Sequence, residues 1–246
     1  MIWIIGGTSE ARELIDKLGD RTDYIATIAT EGGSEFLNTQ NIYIGRLNKE
    51  GMIRFAKENN IDTIVDLSHP YAKVVSDNAR AVSEKLGIKY LRYVRSKTEY
   101  NDDLINLNSY EECYKYLSKI KGTVLFTTGS KNIGDFEKVR GNNRFIYRIL
   151  PAMESLEICR KYNIHMRDII ALLGPFSKDF NKIMLSTFNV DYCVMKDSGS
   201  AGGTLEKIQA CEELGIKPIM IGREDEKGFT VLEDIFTLLS PVLHKD

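Results

Sequence analysis

Ile2-Trp3-Ile4-Ile5-Gly6-Gly7-Thr8-Ser9-Glu10-Ala11-Arg12 runs an apolar, β-branched stretch into a small-residue turn and then into a helical pattern. Val194-Met195-Lys196-Asp197-Ser198-Gly199-Ser200-Ala201-Gly202-Gly203 repeats that grammar near the other end of the chain. A strand that turns on glycine into a helix presents backbone N–H groups and the positive end of a helix dipole, which is how α/β proteins hold anionic ligands. Two such turns predict two anionic ligands.

Working outward, short apolar runs alternate with longer amphipathic ones. Strands are expected at Ile2–Ile5, Tyr24–Ala29, Ile42–Ile44, Thr63–Leu67 and Lys89–Val94, with helices at Ser9–Leu18, Lys49–Asn59 and Tyr71–Leu86. A polar stretch, Arg95–Asn108, reads as the crossover between domains. A second series follows. Its strands are Thr123–Thr127, Phe145–Leu150, Ile169–Leu173, Tyr192–Met195 and Pro218–Ile221, and its helices Ser109–Lys121, Ile133–Val139, Glu154–Tyr162, Ser177–Phe188 and Thr204–Leu214, with a last one near Val231–Leu239. The fold class is therefore α/β, with two Rossmann-like, doubly wound parallel-sheet domains at residues 1–96 and 97–246. Asn48 and Asn132 are candidate helix caps, and Gly87 and Gly215 stand where helices end left-handed.

Bulk properties narrow the function classes. The 246 residues carry 33 basic and 35 acidic side chains, a formal net charge of −2, so no basic field argues for nucleic acid. No apolar run reaches bilayer-spanning length and no secretory leader is evident, which predicts a cytoplasmic protein without a membrane partner. Cys113, Cys159, Cys193 and Cys211 are scattered as reduced core thiols would be, and His69, His165 and His244 lack ligand spacing, so no metal is expected.

In a dinucleotide-binding turn the first glycine bends the chain, the second admits the pyrophosphate and the third small residue lets helix and strand pack. Gly6, Thr8 and Ala11 hold those positions here, so the middle glycine is missing. Thr8 and Ser9 are expected to offer hydroxyls to phosphate, and Arg12 to offset Glu10. After the second and third strands, Thr30 and Glu31 suit a ribose 2′-hydroxyl whereas Gly45-Arg46 suits a 2′-phosphate. Ser68-His69-Pro70-Tyr71-Ala72 ends another strand, at the edge where open α/β sheets bind ligands. In the second half Lys131, Arg148 and Lys196 each follow or end a strand, and their convergence on one sheet edge predicts a polyanionic ligand.

Six phrases in order, Gly6–Arg12, Ser68–Ala72, Thr127-Thr128-Gly129-Ser130-Lys131, Arg148–Pro151, Gly174-Pro175-Phe176-Ser177 and Lys196–Lys207, together resemble the precorrin-6A and cobalt-precorrin-6A reductases of corrin-ring biosynthesis. Leu173 and Gly222-Arg223-Glu224 depart from the usual pattern. The resemblance implies an oxidoreductase of cobalamin biosynthesis that takes hydride from NADPH or NADH to C19 of an acidic tetrapyrrole, with a proton added at C18. It implies cofactor contacts from Gly6, Gly7, Thr8, Ser9, Glu10, Ala11, Arg12, Thr30, Glu31, Gly45, Arg46, His69, Pro70 and Tyr71. Substrate contacts are implied for Lys131, Arg148, Gly174, Pro175, Ser177, Lys196, Ser198, Gly199, Gly202 and Gly203, and His69 and Asp197 become candidate general acids. It further implies exchange of the last strands, Lys89–Val94 into the second sheet and Pro218–Ile221 into the first, and transient contact with neighbouring corrin-pathway enzymes. On residues alone two other readings stay open: a non-catalytic tetrapyrrole or nucleotide binding protein, and a nucleotide-dependent transferase with two Rossmann-like domains.

Overall fold

β1 (Ile2–Ile5) is buried on both faces, as the central strand of a parallel sheet covered by helices must be. The chain leaves it through Gly6-Gly7 into α1 (Ser9–Leu18), whose inner stripe Ala11, Leu14, Ile15 and Leu18 packs back on the sheet. In the computed structural model, residues 1–29, 37–96, 104–199, 202–223 and 226–239 are described. They divide into two compact units, Met1–Ser96 with Asp225–Asp246, and Lys97–Glu224.

The first unit continues with β2 (Tyr24–Ile28), β3 (Ile42–Ile44), α2 (Lys49–Glu58), β4 (Thr63–Asp66), α3 (Lys73–Leu86) and β5 (Lys89–Arg92). All pairings are parallel and the order is β3-β2-β1-β4-β5. The chain thus reverses its direction of travel across the sheet between β1 and β4, where Ile5 lies beside Asp66. Asn48 caps α2 by accepting from Gly51 N at 2.8 Å, as expected. The third helix starts at Lys73 rather than Tyr71, because Ala72 N turns back onto the His69 carbonyl and keeps Pro70-Tyr71 in a turn.

The second unit comprises β6 (Ile105–Leu107), α4 (Tyr110–Leu117), β7 (Thr123–Phe126), α5 (Ile133–Lys138), β8 (Arg144–Ile149), α6 (Met153–Lys161), β9 (Ile169–Ala171), α7 (Lys178–Thr187), β10 (Tyr192–Lys196), α8 (Thr204–Leu214) and β11 (Lys217–Ile221). Its parallel order, β6-β11-β10-β7-β8-β9, reverses between β7 and β10. One face carries Val124, Phe126, Tyr147 and Val194, the other Leu125, Ile146, Cys193 and Met195. All four cysteines are buried and unbridged.

Four expectations are corrected. The strands are not exchanged as the resemblance implied: β5 stays against β4 in the first sheet and β11 against β10 in the second. The crossover Arg95–Asn108 hides β6, which pairs with β11 from Ile105↔Ile219 to Leu107↔Ile221, too short to show a period. Residues 97–246 are not one domain. The tail returns to the first unit, where α9 (Leu232–Leu239) buries Leu232, Ile235 and Leu239 beside Leu14 and Leu18, each such burial being worth about 1.5–3 kcal/mol. Gly228 admits this return, since a Cβ there would lie 2.5 Å from the Arg92 carbonyl, and Phe229 then bridges Tyr93. Finally, Asn132 does not cap α5; its side-chain N–H donates to the Tyr114 hydroxyl at 3.3 Å.

Candidate functional site

At the first reversal, Gly6 N donates to the Thr27 carbonyl at 2.9 Å and Gly7 adopts φ +97°, a conformation that favours glycine. A Cβ on Gly6 would press on the Ala11 Cβ at 3.3 Å, so the small residue at 11 lets helix and strand close up. Thr8 replaces the missing glycine with a strut. Its Oγ1 donates to the Leu67 carbonyl at 2.8 Å and accepts from Ala11 N at 3.3 Å, tying the two switch-point loops together while capping α1. Ser9 likewise donates to Glu10, so both hydroxyls already donate within the protein. An anion at this turn is met chiefly by backbone N–H groups.

Glu10 resolves differently from expectation. Arg12 is exposed and pairs with Asp16 at 3.7 Å, whereas the Glu10 carboxylate, 8% exposed, receives Arg95 Nε at 2.5 Å and Nη2 at 2.7 Å. Burial alone would raise this carboxyl; the hydrogen bonds and charge of Arg95 outweigh it and hold Glu10 below the usual carboxylate range. A bidentate fork thus neutralises the acid at the start of α1.

The Ser68–Tyr71 turn stands on a buried polar network. Arg92, 3% exposed, donates through Nη1 to Asp66 Oδ1 at 3.2 Å and to the Ser68 carbonyl at 2.9 Å, and through Nε to Glu226 at 2.9 Å. Tyr90 donates to Asp66 Oδ2 at 2.7 Å, and burial with the adjacent carboxylate keeps its phenol well above the ordinary range. Above this network His69 Nδ1 accepts from Tyr71 N at 3.3 Å, which places the proton of the neutral ring on Nε2. Pro70 is buried. Gly45 N donates to the Ile28 carbonyl at 2.8 Å and Arg46 is exposed; Thr30 and Glu31 lie outside the described residues.

At the second reversal, Thr127 binds the Val194 carbonyl through both N (2.8 Å) and Oγ1 (3.1 Å), tying the turn after β7 to β10. Lys196 stands over the Tyr110 ring at 5.6 Å; burial, then the nearby charge of Lys131, pulls its ammonium down to about 8. Arg148 is placed differently. Strand alternation sends it, with Ile146, to the face of Cys193 and Met195, while Lys196 shares the face of Val194. The three expected cations therefore occupy one edge but two faces. Arg148 Nη1 donates to Asn181 Oδ1 at 2.9 Å and its guanidinium covers Phe176 at 5.1 Å.

The glycine-rich turn is held by its own side chains. Gly199 N donates to Asp197 Oδ1 at 3.2 Å, Arg223 Nε lies 4.0 Å from Asp197 Oδ2, and Ser198 N donates to Thr204 Oγ1 at 3.1 Å. Asp197 is thus 3% exposed and engaged in shaping the turn. Gly202 N donates to the Gly199 carbonyl, and a Cβ on Gly203 (φ +63°) would meet Pro175 at 3.1 Å, so the turn lies directly against Gly174-Pro175. Ser177 caps α7 by accepting from Phe180 N at 3.3 Å. Sequence reasoning missed Asp66, Tyr90, Arg92, Arg95, Glu226, Lys207 and Arg223. Asp66 had one visible signal: a charge at the end of an otherwise uncharged strand, which rarely stands there unpaired.

Two parallel sheets, each reversing strand order and each carrying a small-residue turn at the reversal, define a protein of two Rossmann-like domains. The family described as Precorrin-6x reductase CbiJ/CobK matches residues 1–240, and the chain belongs to that family. It is 36% identical to a cobalt-precorrin-6A reductase of Priestia megaterium over 91% of this chain and 90% of that one. Against a cobalt-precorrin-6A reductase of Salmonella typhimurium identity is 32%, over 90% and 87%. A solved structure titled CobK precorrin-6A reductase superposes with a TM-score of 0.78 at 20% identity, covering 98% of this chain and 96% of that one. The chain is accordingly an oxidoreductase of cobalamin biosynthesis, and its family requires a hydride donor. No helix among the described residues is long and apolar enough to cross a membrane.

Proposed function

We propose that this enzyme converts precorrin-6A or cobalt-precorrin-6A to the 6B form, with NADPH or NADH bound by the first unit and the acidic tetrapyrrole by the second. One observation carries the division of labour. Lys131, Arg148 and Lys196 gather at the carboxyl edge of the second sheet, where the turns after β8 and β9 also expose Leu150, Leu172 and Leu173, with Phe180 beyond them on α7. Fixed cations beside exposed apolar side chains suit a large ring bearing acetate and propionate arms. Leu173, which departs from the family pattern, contributes apolar surface.

The first turn fits a dinucleotide: Gly7 leaves open space where a Cβ would project, and the one acid at the helix start is neutralised by Arg95. Gly7, Ser9 and Glu10 would hold the pyrophosphate through main-chain N–H groups, with Gly6 and Ala11 permitting the close packing and Thr8 bracing the loop. Gly45-Arg46 is the candidate for a 2′-phosphate, Thr30 and Glu31 for a 2′-hydroxyl, and Arg12, Pro70 and Tyr71 would line the cofactor. When bound, the reduced nicotinamide supplies hydride for C19 of the macrocycle. The chain's own work is to anchor carboxylates, exclude water and deliver a proton to C18.

His69 is the candidate donor, acting as the imidazolium; in the neutral ring Nδ1 accepts from Tyr71 N, which orients the side chain. Its replacement by asparagine should lower kcat about 100-fold and flatten the pH dependence near the ordinary imidazole value of about 6.5. An H69N enzyme with unchanged kcat across that range has another donor. Asp197, engaged by Gly199 N and Arg223, acts as a positioning residue for the turn that carries Lys196, Ser198, Gly199, Gly202 and Gly203, against Gly174, Pro175 and Ser177.

A Lys196→Ala enzyme should show a substrate KM raised about tenfold or more with little change in nicotinamide KM. Equal effects on both would reject its role. An anaerobic assay crossing both substrate forms with both nicotinamides tests the whole reading; no turnover in any combination overturns it. As a cytoplasmic enzyme, it would pass its product to neighbouring pathway enzymes by transient contact.

A further inference from the structure

One buried cation of the second unit has no counter-charge at contact distance. Lys207 lies on the inner face of α8, 5% exposed, among Thr204, Ile208, Ala210 and Cys211. Among the described residues, none accepts a hydrogen bond from its ammonium or pairs with it as a salt bridge. Lysine is rarely buried without a partner, because removing an ammonium from water is costly and a leucine or methionine at the same place would pack without that cost.

The surroundings deepen the imbalance. Arg148 projects from β8 onto the same face of the sheet, and its charge together with burial pulls the Lys207 ammonium down to about 8. Among the described residues, the contacts of the Arg148 guanidinium are with the neutral Asn181 and the Phe176 ring. Of the two carboxylates whose charge reaches Lys207, Asp197 is held by Gly199 N and Arg223, and Glu206 has a buried Oε2 without a hydrogen bond. The Cys193 thiol, hydrogen-bonded with Cys211, lies near both cations.

We infer that Lys207 and Arg148 together form a receptor for one carboxylate arm of the tetrapyrrole, with partly exposed Arg148 at its mouth and Lys207 as its inner wall. This rests on the reading of the second unit as the substrate-binding one. Lys207 is then a substrate-binding residue, and the like-charge pair is kept for the ligand rather than for the fold. A phosphate of the dinucleotide has related chemistry and is the competing source of the anion.

The test compares wild type with Lys207→Met. Substrate dissociation constant is read by absorbance titration under anaerobic conditions, nicotinamide KM by steady-state kinetics and Tm without ligands. The expected result is substrate affinity weakened about 10- to 100-fold, nicotinamide KM within about twofold and an unliganded Tm equal to or above that of wild type, because a buried ammonium without a counter-charge at contact distance has gone. The methyl ester of the substrate should bind both proteins equally. Unchanged affinity for the free acid overturns the inference, as does a rise in nicotinamide KM alone, which would assign the pair to phosphate. A lower Tm with both ligands equally weakened shows a purely structural lysine. Lys207→Gln carries the same comparison if the methionine variant does not accumulate. Failure of wild type to reduce either substrate form would instead overturn the functional reading, whatever Lys207 does.

Discussion

Arg95→Met should cost about 3–5 kcal/mol of stability and alter how stability depends on pH, because it leaves a carboxylate buried without its cation. In the wild type, Glu10 has a folded pKa below its ordinary value of 4.5. Its contribution is therefore complete above that value and is lost as pH falls through the lower, folded one. Without Arg95, burial, the largest of the influences on Glu10, outweighs the remaining backbone and Ser9 hydrogen bonds and lifts the folded pKa above the unfolded one, so the variant should lose stability as pH rises through the elevated value. Denaturant unfolding at a series of pH values checks this. A variant whose stability runs parallel to wild type at all pH values contradicts the assignment. The unneutralised carboxylate at the start of α1 should also raise nicotinamide KM about tenfold while leaving substrate KM alone.

Arg92→Met should lower Tm on the order of 10 °C, the expected consequence of breaking a buried ion pair in a chain of this size. Asp66 and Glu226 would lose their shared cation and the Ser68 carbonyl its donor. Since Ser68 begins the His69 turn, kcat should fall more than substrate KM rises. Arg92→Lys should recover only part of the loss, because an ammonium lacks the planar fork that faces Glu226 on one side and Asp66 with Ser68 on the other. A melting temperature within about a degree of wild type for R92M would show that the network is dispensable.

Much of the fold was legible because it is written in neighbouring residues. β1 runs into Gly6-Gly7 and a capped α1, Asn48 caps α2, and Gly87 and Gly215 close their helices at φ +68° and +65°. The second turn was legible for the same reason, its glycines at 199 and 203 both having positive φ. The site was legible less completely. Lys131, Arg148 and Lys196 stand out as cations at strand ends, but which of them share a face depends on register between strands, which no single strand encodes. Lys207, inside a helix that reads as ordinary, gave no sign of its burial.

Local periodicity and turn chemistry thus established two successive parallel α/β series with a small-residue strand-to-helix turn in each, since strands, caps and left-handed glycines depend on residues a few positions apart. Only the folded chain decided that the tail from Glu226 to Leu239 belongs with the first series, that Ile105–Leu107 joins the second sheet, and that Glu10 pairs with Arg95 rather than Arg12. Those outcomes turn on contacts between residues tens to hundreds of positions apart, selected by burial and charge neutralisation rather than by spacing along the chain.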